Sequence, residues 1–161
     1  FGVTEIDRRL PGGGLALGSL HEVAGGGNGA VDGAAAALFA AEIAARTRGK
    51  VLWVVTRRDL FAPALAQAGL HPDRLIHVEA GDEKALLACF EEGLRHGGPG
   101  AVVAETARFS MTDSRRLQLA AENALAQQFG HFFVECARGK GGGYHAANCR
   151  LKWMFCINNY K

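Results

Sequence analysis

Short apolar runs alternate along the chain with stretches whose apolar positions recur every three to four residues, and each such pair reads as a strand followed by a helix. Leu20 to Ala24 is a short strand candidate entering a glycine-rich loop, Gly25 to Gly33, after which the alanine-rich stretch Ala34 to Arg46 reads as helix. Val51 to Val55 is β-branched and aromatic, the pattern of a strand covered on both faces, and Leu60 to Ala68 follows as a helix stopped by Gly69. Leu75 to Val78 is a shorter strand. Glu83 to His96 sets Leu86, Leu87, Phe90 and Leu94 at helical spacing before the breaker Gly97-Gly98-Pro99. Ala101 to Ala104 repeats the covered-strand pattern, and Thr112 or Asp113 caps a helix reaching Ala126.

Strands alternating with helices imply an α/β fold with a mostly parallel sheet and helices on both faces, because parallel neighbours need a crossover between them. Ligands of such sheets bind beyond the carboxyl ends of the strands. The residues expected there are the loop Gly25 to Gly33, then Arg57, Arg58 and Asp59, then Glu79, then Glu105 with Ser110.

The chain has 161 residues, enough for one core, with 48% hydrophobic and 21% charged residues, which excludes a disordered or fibrous class. A net charge of +2 is too balanced for a protein held mainly by nucleic-acid phosphates, so direct DNA contact is left open. No apolar run is long enough to span a membrane. The chain opens on Phe1 without a basic-then-apolar leader, and it reads as a cytoplasmic fragment lacking an upstream piece. Cys89, Cys136, Cys149 and Cys156 form no C-x-x-C pair, which suits a reducing compartment.

From Phe1 to about Glu122 the chain resembles the ImuA family of RecA-like proteins, accessory factors of bacterial SOS-induced mutagenesis. The likeness is carried by Gly2-Val3-Thr4-Glu5-Ile6-Asp7, Leu10-Pro11-Gly12-Gly13-Gly14-Leu15, Gly18-Ser19-Leu20-His21-Glu22-Val23 and Leu52-Trp53 in the first part of the chain. Further along it is carried by Arg58-Asp59-Leu60-Phe61-Ala62-Pro63, Leu70-His71-Pro72-Asp73-Arg74-Leu75, Glu91-Glu92-Gly93-Leu94-Arg95 and Ser114-Arg115-Arg116-Leu117-Gln118-Leu119-Ala120. The resemblance implies a RecA-like, P-loop-type, three-layer fold and a role in translesion synthesis. It also implies error-prone polymerase-complex proteins as partners, with RecA as a further one.

A working phosphate loop needs G-x-x-x-x-G-K-[ST], in which a lysine reaches the terminal phosphates and a hydroxyl holds magnesium. Counting from Gly25 puts Ala30, Val31 and Asp32 in the last three places, and ending the motif at Gly33 leaves Ala34 and Ala35 in the last two. No lysine occurs before Lys50. Asp32 would add a carboxylate beside the phosphates, a repulsion of ~1 kcal/mol at contact even in water. Gly25, Gly26, Gly27, Gly29, Asp32 and Gly33 therefore read as a vestigial phosphate loop, with no ATP cofactor and no ATPase activity expected. The rival reading is a RecA-type ATP-binding, DNA-dependent ATPase, with Glu105 and Glu79 as its acids; without the loop's lysine and hydroxyl, each reads instead as an inherited loop carboxylate pairing with Arg57, Arg58 or Arg108. A third reading is an inactive truncated product.

Arg57-Arg58 and Arg115-Arg116 each present two guanidinium groups near strand ends, suited to phosphates or acidic partner surfaces where they are not simply solvated charge on an amphipathic face, and Arg8-Arg9 adds another doublet. With Leu117, Leu119 and Ala120 nearby, Arg115-Arg116 favours a protein partner over bare DNA. After Glu122 the composition changes: 123–161 holds three of the four Cys, both Tyr and four of the five Asn. This segment reads as an atypical, frame-shifted or unrelated extension of a core at 1–122. It offers one strand candidate at Phe132 to Cys136 and an apolar burst at Trp153 to Ile157. Cys136, His145, Cys149 and Cys156 match no paired zinc-ligand spacing.

Overall fold

A computed structural model describes residues 3–24, 29–106, 109–129 and 152–157. A single turn of helix, α1 (Thr4–Asp7), precedes strand β1 (Leu20–Ala24), then α2 (Ala30–Ala45), β2 (Val51–Val55), α3 (Ala62–Gln67) and β3 (Leu75–Glu79). The chain continues with α4 (Glu83–His96), β4 (Ala101–Thr106), α5 (Met111–Phe129) and β5 (Lys152–Ile157).

The five strands form one sheet in the order β1-β5-β4-β2-β3. Side chains alternate across it as the pleat requires. Val51, Trp53, Val55, Ala101, Val103 and Ile157 face α2 and α3, while Val54, Val102, Ala104, Met154 and Cys156 face α4 and α5. Both faces of β2 and β4 are covered, which is why these runs are apolar without alternation. On α2, Ala36, Ala40, Ile43 and Ala44 recur at i, i+4, i+7 and i+8 against the first face, small enough to bring the helix axis close to Trp53. On α4, Leu86, Phe90 and Leu94 do the same on the second face, where they meet Leu117 and Ala121 of α5.

The expected mostly parallel sheet is corrected to a mixed one. β2 pairs in parallel with β3 and with β4, whereas β5 lies antiparallel to both β1 and β4. The pattern shows only strand-then-helix units, each of which forces a parallel neighbour. β5 does not follow its unit, β4 and α5, directly: residues 130–151 lie between them outside the described ones, so nothing in the periodicity fixed its direction. The boundary drawn at Glu122 falls inside α5, and the apolar burst of the expected extension lies in β5. Phe132 to Cys136, together with Cys136, His145 and Cys149, lies outside the described residues.

Several element ends move by a few residues. α2 begins at Ala30, four residues earlier than its alanine run suggests, because Gly29 takes the extended conformation of a cap. α5 is capped by Ser110, not by Thr112 or Asp113. The Asp113 N–H donates to Ser110 Oγ at 3.1 Å, and the Ser110 hydroxyl donates to Asp113 Oδ2 at 2.6 Å. Among the described residues no helix is long and apolar enough to cross a membrane.

Candidate functional site

The parallel strands end together on one edge of the sheet, and the sequence-predicted chemistry is divided among their tips. β2 runs out into Thr56-Arg57-Arg58-Asp59, while β3 and β4 carry Glu79 and Glu105 within their last two residues. Arg57 Nη2 donates to Glu105 Oε1 at 2.9 Å, and its Nε lies 3.5 Å from Asp59 Oδ2. Arg58 Nε donates to Glu79 Oε2 at 2.6 Å. Both arginines are therefore committed to carboxylates of the chain itself.

The two pairs differ in environment. The Arg58 side chain is 86% exposed, so its pair with Glu79 contributes little. Glu105 is buried, and desolvation is the main cause that lifts its carboxyl above the ordinary range. Arg57 opposes that rise by charge and hydrogen bond, while Asp59 and Glu83 reinforce it. Beside it, the Thr106 hydroxyl donates to Glu83 Oε2 at 2.6 Å, tying β4 to the first turn of α4.

At the start of α2 the Gly29 N–H donates to Asp32 Oδ2 at 3.2 Å. A helix start attracts anions through its unpaired amides and its dipole. Here the carboxylate of the helix's own first turn takes one of those amides and places negative charge beside the others. Gly33 lies within the same first turn, its N–H bonded to the Gly29 carbonyl at 3.2 Å. No lysine or hydroxyl side chain stands on α2, so this helix supplies neither the cation nor the magnesium-holding hydroxyl of a working phosphate loop. Gly25, Gly26 and Gly27 lie outside the described residues. Among the described residues no group of three or more His, Cys, Asp or Glu side chains is placed to hold a metal.

Arg115 and Arg116 sit apart from this edge, on α5. Arg116 Nε forms an ion pair with Glu91 Oε2 of α4 at 2.9 Å, and its Nη2 lies 3.8 Å from Asp113 Oδ1. Glu91, with its side chain only 15% exposed, also accepts from Arg95 at 2.7 Å. Arg115 has no carboxylate partner among the described residues. The doublet thus separates into one interlocked and one available guanidinium. Of its apolar companions, Leu117 and Ala120 are core and only Leu119 is exposed. Gln118 is structural too, its Oε1 accepting from the Leu20 N–H of β1 at 2.8 Å.

Sequence reasoning missed two residues that organise these elements. Glu91 was visible only as one of several acids on α4; its partner Arg116 lies 25 positions on, beyond any local pattern. Arg74 donates to the carbonyls of Ala45 at 2.7 Å, Thr47 at 2.7 Å and Gly49 at 2.8 Å, closing the last turn of α2 and the loop that follows. Its signal was a basic residue next to a strand, which specifies no partner.

Protein ImuA of Caulobacter vibrioides, in strain NA1000 / CB15N and in strain ATCC 19089 / CIP 103742 / CB 15, is 42% identical to this chain over 155 residues. The match takes in 94% of the chain and therefore runs past Glu122, further than the residue strings quoted above. These matches support assigning the chain to the ImuA family. It spans 62% of the length of these ImuA relatives. No family model matches the chain, and no solved structure does.

Proposed function

We propose that this ImuA-family chain is a RecA-like accessory domain of DNA-damage-induced mutagenesis, acting in SOS translesion synthesis through contacts with the error-prone polymerase complex and with RecA. It does so without nucleotide chemistry. The observation that carries the non-catalytic reading is the Asp32 carboxylate on the Gly29 N–H, at the one place where a RecA-type ATPase concentrates positive charge. The strand, glycine loop and helix that open the sheet support a RecA-like ancestry, and the 42% identity to Protein ImuA supports the pathway.

Because Glu105 and Glu79 are paired with Arg57 and Arg58, this reading makes the strand-tip acids structural. Melting the protein with ATP and magnesium tests it: a ligand of the folded state raises the melting temperature by mass action. No shift is expected up to millimolar ATP. A rise of several degrees would instead favour the ATP-binding reading.

A further inference from the structure

The outward surface of α5 carries an order its core side does not explain. Met111, Arg115 and Leu119 follow one another at four-residue spacing and so share one strip of the helix. Met111 is 54% and Leu119 59% exposed, and Arg115 stands between them without a carboxylate partner among the described residues. Leu119 also walls a groove of about 390 Å³ between α4 and α5, lined with Ala120, Asn123 and Ala124 on one side and Glu91 and Arg95 on the other. Glu91 clasps Arg95 and Arg116 at the rim of that groove, which fixes the rim and leaves Arg115 as the cation facing outwards.

We propose that this strip docks an amphipathic helix of a protein partner, one that carries a carboxylate with an apolar residue one turn to either side. The carboxylate meets Arg115, one apolar side chain covers Met111, and the other covers Leu119 and enters the groove. Charge complementarity selects an acidic segment, and the two flanking apolar residues select a protein over a nucleic-acid backbone, which would leave them uncovered. The proposal rests on the reading of the chain as a protein-contact factor and names the surface used.

The test uses the full chain and a fluorescein-labelled, stapled helical peptide with the pattern Leu-x-x-x-Glu-x-x-x-Leu, together with a counterpart bearing Lys in place of Glu. Fluorescence anisotropy should show the Glu peptide binding the parent, with affinity falling about tenfold or more in Arg115→Glu and in Leu119→Ser, each tenfold being ~1.4 kcal/mol. The Lys peptide should recover binding to Arg115→Glu, and Arg48→Glu on the far side should change nothing. No binding of the Glu peptide, equal binding by Arg115→Glu, or Arg115-dependent binding of single-stranded oligo-dT alone would each overturn the proposal. The same samples are melted with ATP and magnesium. A failed peptide titration without a nucleotide shift removes this surface only, whereas a nucleotide shift removes the non-catalytic reading whatever the peptide does.

Discussion

Arg57 and Glu105 meet at 2.9 Å across the tips of β2 and β4, with the arginine side chain 53% exposed and the carboxylate side chain 9%. That asymmetry sets a pH dependence. Burial raises the Glu105 carboxyl above its ordinary 4.5, so the folded chain binds this proton more tightly than the unfolded chain does. Its contribution to stability is greatest below the unfolded value and falls as pH climbs from there through the raised one. Glu105→Gln removes the titration. Thermal unfolding of this variant should be flatter in pH over that window, with a melting temperature at neutral pH equal to or above the parent's. A clear loss at neutral pH with the parent's slope retained would mean that the charge on Arg57 outweighs desolvation.

Among the described glycines tested with an added Cβ, Gly100 leaves the least room. Its N–H donates to the Lys50 carbonyl at 2.8 Å, and a Cβ added there would stand 1.8 Å from the Arg48 carbonyl oxygen. Gly100→Ala should therefore separate the loop after α2 from the start of β4, at a cost of ~3 kcal/mol or more. Gly81→Ala, where a Cβ meets nothing within 4 Å, is the control and should be near neutral. Urea midpoints at unchanged slope measure both.

Arg74 reaches three carbonyls with one guanidinium, a geometry that lysine cannot reproduce. Arg74→Ala should cost ~2 to 4 kcal/mol, since charge-assisted bonds to partly buried acceptors are among the stronger ones. Arg74→Lys should recover less than half of the loss. Recovery to the parent value in a urea titration would show that the positive charge alone is what matters.

Cys156 is buried in β5 and its thiol is pushed up to about 12 by burial, so it holds almost no thiolate at neutral pH. Native-state alkylation followed by mass spectrometry should modify the partly exposed Cys89 and spare Cys156 until the protein unfolds. Equal labelling of the two would show that β5 is not seated between β1 and β4.

Four of the five strands and the helices between them were legible because β2 and β4 are covered apolar runs, β1 and β3 are short apolar runs ahead of a glycine loop or a helix, and the helices are periodic stretches bounded by breakers. Glu83 to His96 was read to the residue, since Asp82 caps it and Gly97, at φ 67°, ends it. The direction of β5 was not legible: the apolar burst at Trp153 to Ile157 shows that something is buried, but alternation cannot say which way a strand runs. The pairing of Glu105 and Glu79 with Arg57 and Arg58 was legible from their shared place at the strand ends, Arg108 lying outside the described residues. Glu91 was not: it lies 25 positions from Arg116 and becomes its partner only through the α4–α5 packing.

The place of β5 governs when the fold can close. Leu20 pairs with Cys156 and Ala24 with Lys152, and among the described residues β1 has no other ladder partner. β1 must therefore wait for a strand that follows it by 128 to 136 positions before its ladder can form, a pairing of high contact order. Until then β1, with the helix it leads into, is held by side chains alone, and the nascent chain offers a naked strand edge to chaperones and to other copies of itself.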